Sequence, residues 1–367
     1  MQKIAIVTLY SDNNIGNKLQ NFAVQEILKK RGLEPRTIIS ELEEKQSVLN
    51  SRKIKLFLID LFIFIGIKGK KLERYALDKR RESRFKRFSQ DYLTLGEKID
   101  IYEIDPSFSK SYDYFIVGSD QVWHNWTETT EEMEFFFLLF AEENKRMCIS
   151  PSFGLNEIAD TYKDIYRKGL KGFRKLSCRE ESGVALIREL ADKEAELLID
   201  PTMMLSEKEW LLLARRPEYH LENNYLLIYL LGNESEEHRE IIRDIAENNN
   251  LQIVDITNPA EKAHYLTEPG EFIYLIKNAR LVCTDSFHGC VFSILFHRNF
   301  LCFKREGSNA ENMENRLLTL LKKFGLESRF YEHSFSDDLF AAVFEEADIV
   351  LKRERKKFDR YLYELFK

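Results

Sequence analysis

The feature that most restricts the fold of this chain is a series of short strand-like runs, each ending abruptly in a polar motif and leading into helical spacing. Ile4 to Leu9, Tyr114 to Val117, Met147 to Ile149, Lys175 to Cys178 and Glu196 to Ile199 are such runs. They lack the apolar–polar alternation of a strand with one wet face, so they suit strands covered on both sides. After the first of them, Leu19, Phe22, Ala23 and Ile27 recur at helical spacing and Gly32 closes the helix. Buried strands separated by helices predict a parallel sheet in an α/β fold.

A second alternation begins after Asp200-Pro201. Tyr225 to Leu231, Leu251 to Ile256, Leu281 to Thr284 and Phe300 to Phe303 read as strands, with helices over Glu236 to Asn248 and Ser286 to Phe296. The 367 residues exceed an ordinary single domain. Two Rossmann-like units are expected, residues 1–203 and 204–346, with a boundary near Thr202 to Pro217. Residues 347–367 carry Leu351, Phe358, Leu362 and Leu365 on one stripe, predicting an amphipathic helix joined to the first unit. Ligands of open α/β sheets bind beyond the carboxyl ends of the strands, so a cleft between the units is the expected site.

Composition narrows the classes. The apolar fraction of 44% is ample for packed cores, and a net charge of −6 gives no global field favouring nucleic acid. Lysines and arginines cluster between Lys68 and Arg87, which a solvated helix face explains. Five cysteines without a CxxC pair suit reduced thiols in a cytoplasm better than a disulfide frame. The opening MQKIAIVTLY reads as a strand rather than a signal peptide. The longest apolar stretch, Ile54 to Ile67, is broken by Lys55 and Asp60 and is too short to span a membrane. With Lys68, Lys70 and Lys71 behind it, the stretch suits a peripheral contact with the inner face of the cell membrane. A helix buried between the units or in an oligomer interface is the other reading. Zinc-type His/Cys clusters, a dinucleotide fingerprint, a P-loop and a GxSxG elbow are all missing, so no metal or cofactor is expected.

The motifs that carry chemistry stand at strand ends. Leu281 to Thr284 runs into Asp285-Ser286-Phe287-His288-Gly289. Asp285 or Ser286 can cap the next helix, whose first turn offers N–H groups to an anion with His288 beside it. Gly289 lets backbone or ligand approach closely. Plain caps with a surface histidine are the alternative. Lys175 to Cys178 ends in Arg179-Glu180, where a guanidinium suits a carboxylate or phosphate, or else pairs with Glu180. Tyr114 to Val117 ends in Gly118-Ser119-Asp120-Gln121-Val122-Trp123. Asp120 can orient or deprotonate a sugar hydroxyl, or merely cap a helix. Trp123 and Trp126 can stack on a pyranose, or pack in the core. The loop Asn13-Asn14-Ile15-Gly16-Asn17 supplies amides for hydroxyl groups and a glycine for a strained turn.

Taken in order, NNIGNKLQNFAVQEIL, YDYFIVGSDQVW, SPSFG, LSCREESG, LIDPTMML, LVCTDSFHG and ENRLLTLLKKFGLESR resemble the successive blocks of polysaccharide pyruvyl transferases over roughly residues 1–330. The resemblance implies two Rossmann-like domains in a GT-B-like arrangement, with a C-terminal helix crossing back to the first. It implies phosphoenolpyruvate as donor and a sugar diol as acceptor, giving a cyclic pyruvate ketal and phosphate in exopolysaccharide or capsule biosynthesis. A lipid-linked oligosaccharide precursor is one form of that acceptor. The block match places Arg179 and His288 at the donor and Asp120 near the acceptor. Asn14, Gly16, Ser119, Gln121, Trp123, Ser152, Glu180, Asp285, Ser286 and Gly289 are expected around the substrates. Pro151 departs from the small residue that relatives carry before Ser-Phe-Gly and is expected to reshape that loop. Two other functions fit the same architecture, a nucleotide-sugar glycosyltransferase and a non-catalytic carbohydrate-binding protein. In the pyruvyl-transfer reading Arg179 clamps the donor and Asp120 takes a hydroxyl proton, while His288 acts as general acid or holds phosphate.

Overall fold

A computed structural model describes residues 1–41, 69–124, 129–232, 235–306, 310–331 and 338–367. The Ile54 to Ile67 stretch and Trp126 lie outside these residues, and with them the membrane contact and the Trp126 stacking expected above.

The first half is a parallel sheet of β1 (Lys3–Val7), β2 (Glu34–Glu41), β3 (Leu95–Asp100), β4 (Tyr114–Val117) and β5 (Arg146–Cys148), in the order β3-β2-β1-β4-β5. A parallel pair, β6 (Leu176–Cys178) and β7 (Ala195–Leu197), continues beyond β5. The Ser150 N–H donates to Ser177 Oγ and the Arg179 N–H to the Pro151 carbonyl, tying the pair on. The second half is a parallel sheet of β8 (Tyr225–Tyr229), β9 (Gln252–Asp255), β10 (Leu281–Thr284) and β11 (Phe300–Cys302), in the order β11-β10-β8-β9. Helices bearing on the site are α1 (Ile15–Lys29), α2 (Lys70–Tyr92), α3 (Glu181–Ala191), α4 (Pro269–Asn278), α5 (Phe287–Leu295), α6 (Ala310–Phe324) and α7 (Glu345–Leu365).

The architecture is thus α/β with two Rossmann-like halves, as the strand pattern predicts. β2 and β3 escape that pattern because charged residues interrupt them. β3 is an edge strand of its sheet, where an exposed Glu97 and Lys98 are tolerated.

The two halves meet at the expected cleft and pack against each other beside it. One continuous cluster of buried residues runs through both halves. Its pivot is Trp210, which packs on Phe22 of α1 at 5.6 Å and on Phe292 of α5 at 4.9 Å. The supposed linker therefore inserts a large apolar anchor between the halves, and burying it favours the closed arrangement. The basic run is mostly solvated, as expected, with Lys71, Arg74, Lys79, Arg80, Lys86 and Arg87 exposed and two arginines turned inward. From α2, Arg81 donates to the Ile256 and Tyr265 carbonyls and Arg84 pairs with Glu271 of α4 at 2.6 Å, so this face braces the second half. α7 returns to the first half in the GT-B manner. There the Tyr361 hydroxyl donates to the Cys148 carbonyl at 2.8 Å, and Arg355 donates to the Met203 and Leu205 carbonyls at 2.7 Å. All five cysteines are free and buried. Among the described residues no helix is long and apolar enough to cross a membrane.

Candidate active site

The loops leaving β4, β5 and β6 continue the parallel ladder past the strand ends. The Ser152 N–H donates to the Asp120 carbonyl at 2.8 Å, and the Trp123 N–H to the Ser152 carbonyl at 3.1 Å. Pro151 contributes only its carbonyl, which accepts the Arg179 N–H, so its missing amide breaks no bond and it fits the ladder as it stands. Asp120 takes a φ of 86°, a region that non-glycine residues seldom occupy. The Gln121 N–H donates to its Oδ1 at 2.8 Å, and Asn17 of α1 donates to its Oδ2. Arg179 Nη2 lies 3.5 Å from Oδ1.

Asp200, just past β7, is the hub. Its Oδ2 accepts from Arg179 Nη1 at 2.7 Å and from Ser119 Oγ at 3.0 Å, with His288 Nε2 at 3.8 Å. Its Oδ1 accepts from the Thr202 N–H and hydroxyl. Burial pushes the Asp200 carboxyl up, but the charges of His288 and Arg179 and the Thr202 bonds outweigh it and hold the pKa at about 2. Burial lowers the His288 pKa, and the attraction of Asp200 and Asp120 does not recover it. The imidazole is therefore neutral at neutral pH. Burial also opposes the charge of Arg179, but Asp200, Asp120 and Glu180 raise its pKa. Arg179 Nε and Nη2, His288 Nε2, Glu180 Oε2 and Ser152 Oγ are buried without a hydrogen-bond partner. These Arg179 nitrogens lie 3.5 Å from Asp120 and 3.9 Å from Glu180, and His288 Nε2 lies 3.8 Å from Asp200, so the charges are balanced at long range while hydrogen-bonding capacity is left over. Among the described residues no group of three His, Cys, Asp or Glu side chains is placed to hold a metal ion.

The sequence has a counterpart among known families. A model of the polysaccharide pyruvyl transferase family matches residues 14–307, the span that contains Asp120, Arg179, Asp200 and His288. The chain belongs to the polysaccharide pyruvyl transferase family. No curated protein matches it by sequence. Among solved structures, it is similar to the UDP-GlcNAc 2-epimerase of Neisseria meningitidis bound to UDP-GlcNAc, at 11% identity and a TM-score of 0.45, covering 97% of this chain and 100% of that one. The UDP-GlcNAc 2-epimerase of Methanocaldococcus jannaschii, with UDP-GlcNAc and UDP, gives 12% and 0.46, covering 99% of each. Anabaena HepE, in complex with UDP and glucose, gives 8% and 0.46, covering 100% of this chain and 99% of that one.

Within this family member, several expected substrate residues are engaged in holding loops. Asn14 caps α1 by accepting from the Asn17 N–H, and Ser286 caps α5 by accepting from the Gly289 N–H. Glu180 Oε1 accepts from the Phe153 and Gly154 N–H groups, while Asp285 accepts from those of Leu231 and Gly232 and pairs with Arg305. Trp123 is 1% exposed, stacked on Phe137 at 5.7 Å with its indole N–H on the Phe136 carbonyl. It packs in the core and also forms part of the wall of a cavity. Gln121 packs its amide against Gly154, and Gly289 lies tight on Thr284 of β10.

His288 is not on the surface. It is 7% exposed and abuts α1 across the two halves. A Cβ on Gly16 would overlap the imidazole Nδ1, so the glycine permits this contact. Gly16→Ala is expected to displace the ring and to destabilise the fold by about 1–3 kcal/mol, with turnover falling. Urea unfolding and phosphate release measure the two effects, and an alanine variant matching wild type in both would show that His288 has room to move.

Asp200 and Arg316 were not legible as site residues, and Asn17 was legible only as one amide of its loop. Arg316 of α6 is 6% exposed and lies over the Phe287 ring at 5.3 Å, where burial and the charge of Arg179 bring its pKa down to about 9. Beside Asn17 a cavity of about 320 Å³ opens, walled by Trp123, Phe135, Phe136 and Tyr166, with Ser11, His124 and the buried Glu132 as polar groups.

Proposed function

We propose that the protein transfers the pyruvyl group of phosphoenolpyruvate onto two hydroxyls of an acceptor sugar in a surface polysaccharide or its lipid-linked precursor. The observation that carries this reading is the gathering of Arg179 and His288 nitrogens that make no hydrogen bond and lie 3.5–3.9 Å from Asp120, Glu180 and Asp200. Arg179 takes an anionic group of the donor, and the bound dianion raises the pKa of His288 so that it becomes the imidazolium. His288 then gives its proton to the methylene carbon, leaving C2 electrophilic. One sugar hydroxyl adds to C2 as Asp120 accepts its proton. The second hydroxyl adds to C2 as the C2–O bond to phosphate breaks, and its proton leaves with the phosphate. The acceptor ring occupies the cavity beside Asn17, with aromatic walls against its apolar faces and Glu132 and Ser11 on its hydroxyls.

The test is phosphate release from phosphoenolpyruvate with a panel of methyl glycosides, alongside thermal shifts with phosphoenolpyruvate and with UDP-sugars. Stabilisation by UDP-sugars but not by phosphoenolpyruvate would replace this reading with nucleotide-sugar transfer. With an accepted glycoside, Glu132→Ala is expected to raise the acceptor KM by about tenfold and leave the donor KM unchanged. An unaltered acceptor KM would move the sugar out of this cavity.

A further inference from the structure

The cavity beside Asn17 is mostly aromatic, so its few polar groups decide what it accepts. Several of its hydrogen-bond donors are already engaged. The Trp123 indole N–H donates to the Phe136 carbonyl at 3.3 Å, and the Tyr166 hydroxyl to the Trp123 carbonyl at 2.6 Å. The Ser11 hydroxyl donates to Asn13 Oδ1, and both ring nitrogens of His124 are fully buried. The Asn17 amide turns its nitrogen to Asp120 Oδ2, which leaves its Oδ1, an acceptor, for the cavity.

Glu132 lines the same cavity, and no lysine, arginine or second acid among the described residues lines it with Glu132. Its side chain is buried, and among the described residues it makes no hydrogen bond or ion pair. An acid in a first helical turn offsets the dipole, but the exposed neighbour Glu131 already meets that need. Lys18, whose ammonium lies over the Tyr10 ring, is committed to Asp12 at 3.0 Å.

Resting on the pyruvyl-transfer reading, we propose that Glu132 sets the acceptor class: an uncharged pyranose that presents hydroxyl donors to it, with uronic acids rejected. Hydroxyl donors satisfy a buried carboxylate without a counter-ion, whereas a second carboxylate adds repulsion and brings no donor. The hydroxyls of Tyr10 and Ser40 can donate or accept, so they favour neither class. A pyranose touching Glu132 carries its C6 group no more than about 8 Å away. That is the screening length at physiological salt, so the repulsion survives there. Excluding a competitor by an unpaired like charge is a route to specificity that needs no extra contact with the accepted sugar.

The experiment titrates the protein with methyl glycosides of glucose, galactose and mannose, each beside its C6 carboxylate and C6 carboxamide counterparts, by ligand-observed NMR. The best-bound neutral glycoside should bind wild type at least about 30-fold more tightly than its uronate. The carboxamide, which has the size without the charge, should recover most of that difference. Glu132→Gln should narrow the gap at least about tenfold, strengthening the uronate while weakening the neutral glycoside. If the glutamine variant fails to fold, the acid–amide comparison in wild type decides alone. A uronate bound as well as its neutral partner, an amide bound as poorly as the acid, or an equal gap in folded Glu132→Gln overturns the assignment. So does a wild type that binds no glycoside. Phosphate release from phosphoenolpyruvate is followed with the same compounds. Neutral preference through Glu132 without release keeps the assignment and removes the pyruvyl-transfer reading; release with both classes alike keeps the transfer and removes the assignment.

Discussion

His288→Gln is expected to lower kcat by about 10²–10⁴ while donor affinity survives. Glutamine can still donate a hydrogen bond to phosphate but cannot deliver a proton to carbon. The pH profile separates this from a binding role. Burial holds the free imidazole below its ordinary pKa, so the free protein has little imidazolium at neutral pH, and kcat/KM should climb as pH falls toward the depressed value. With the phosphate dianion bound the pKa rises, so the corresponding limb of kcat should lie at higher pH. Both limbs should vanish in the glutamine variant. A raised donor KM with kcat near wild type would instead make His288 a phosphate ligand only.

Asp200→Asn carries the largest expected loss of stability, about 3–5 kcal/mol, because it removes the nearest counter-charge of a buried guanidinium and leaves only Asp120 at 3.5 Å and Glu180 at 3.9 Å. Asparagine keeps the shape and can still accept from Thr202, so the loss reports charge rather than packing. Urea unfolding at neutral pH measures it. The acid limb gives an independent check. The Asp200 pKa falls from 3.8 to about 2 on folding, so its contribution is present above pH 3.8 and is lost as pH falls through about 2. That contribution is about 2 kcal/mol, and the asparagine variant should lack this part of the acid destabilisation. A neutral-pH loss below about 1 kcal/mol would show that Arg179 finds another counter-charge.

The parts of this protein that a reader of its sequence can see are those whose signal is local. Apolar runs such as Tyr114 to Val117 need no partner to declare themselves, and the polar residues that end them mark where ligands meet a parallel sheet. Arg179, Asp120 and His288 were found that way. Asp200 was missed because Asp-Pro reads as a cap, and the cap is real: its carboxylate accepts from the Thr202 N–H. Its role as counter-ion exists only once β7 lies beside β6 and the second half supplies His288. Arg316 and Trp210 were hidden for the same reason. An arginine on a helix and a tryptophan in a linker show their burial only when Phe287 and Phe292 close over them. For Trp123 the sequence leaves core packing and sugar contact both open, and only the fold shows Phe137 and Phe153 enclosing it.

The return of α7 has a consequence for how the chain comes together during synthesis. The Tyr361 hydroxyl that closes over the Cys148 carbonyl lies 213 residues further along. At ordinary ribosomal speeds of about 5–20 residues per second, roughly 10–40 s separate the emergence of β5 from that of the helix that covers it. Throughout that interval the first sheet exists with an apolar flank open to water, next to the groove that Leu362 and Leu365 later fill. The first half completes its packing only after this later helix has emerged. Its chief hazard in the cell is therefore premature association of that flank with another chain, before its own last helix arrives.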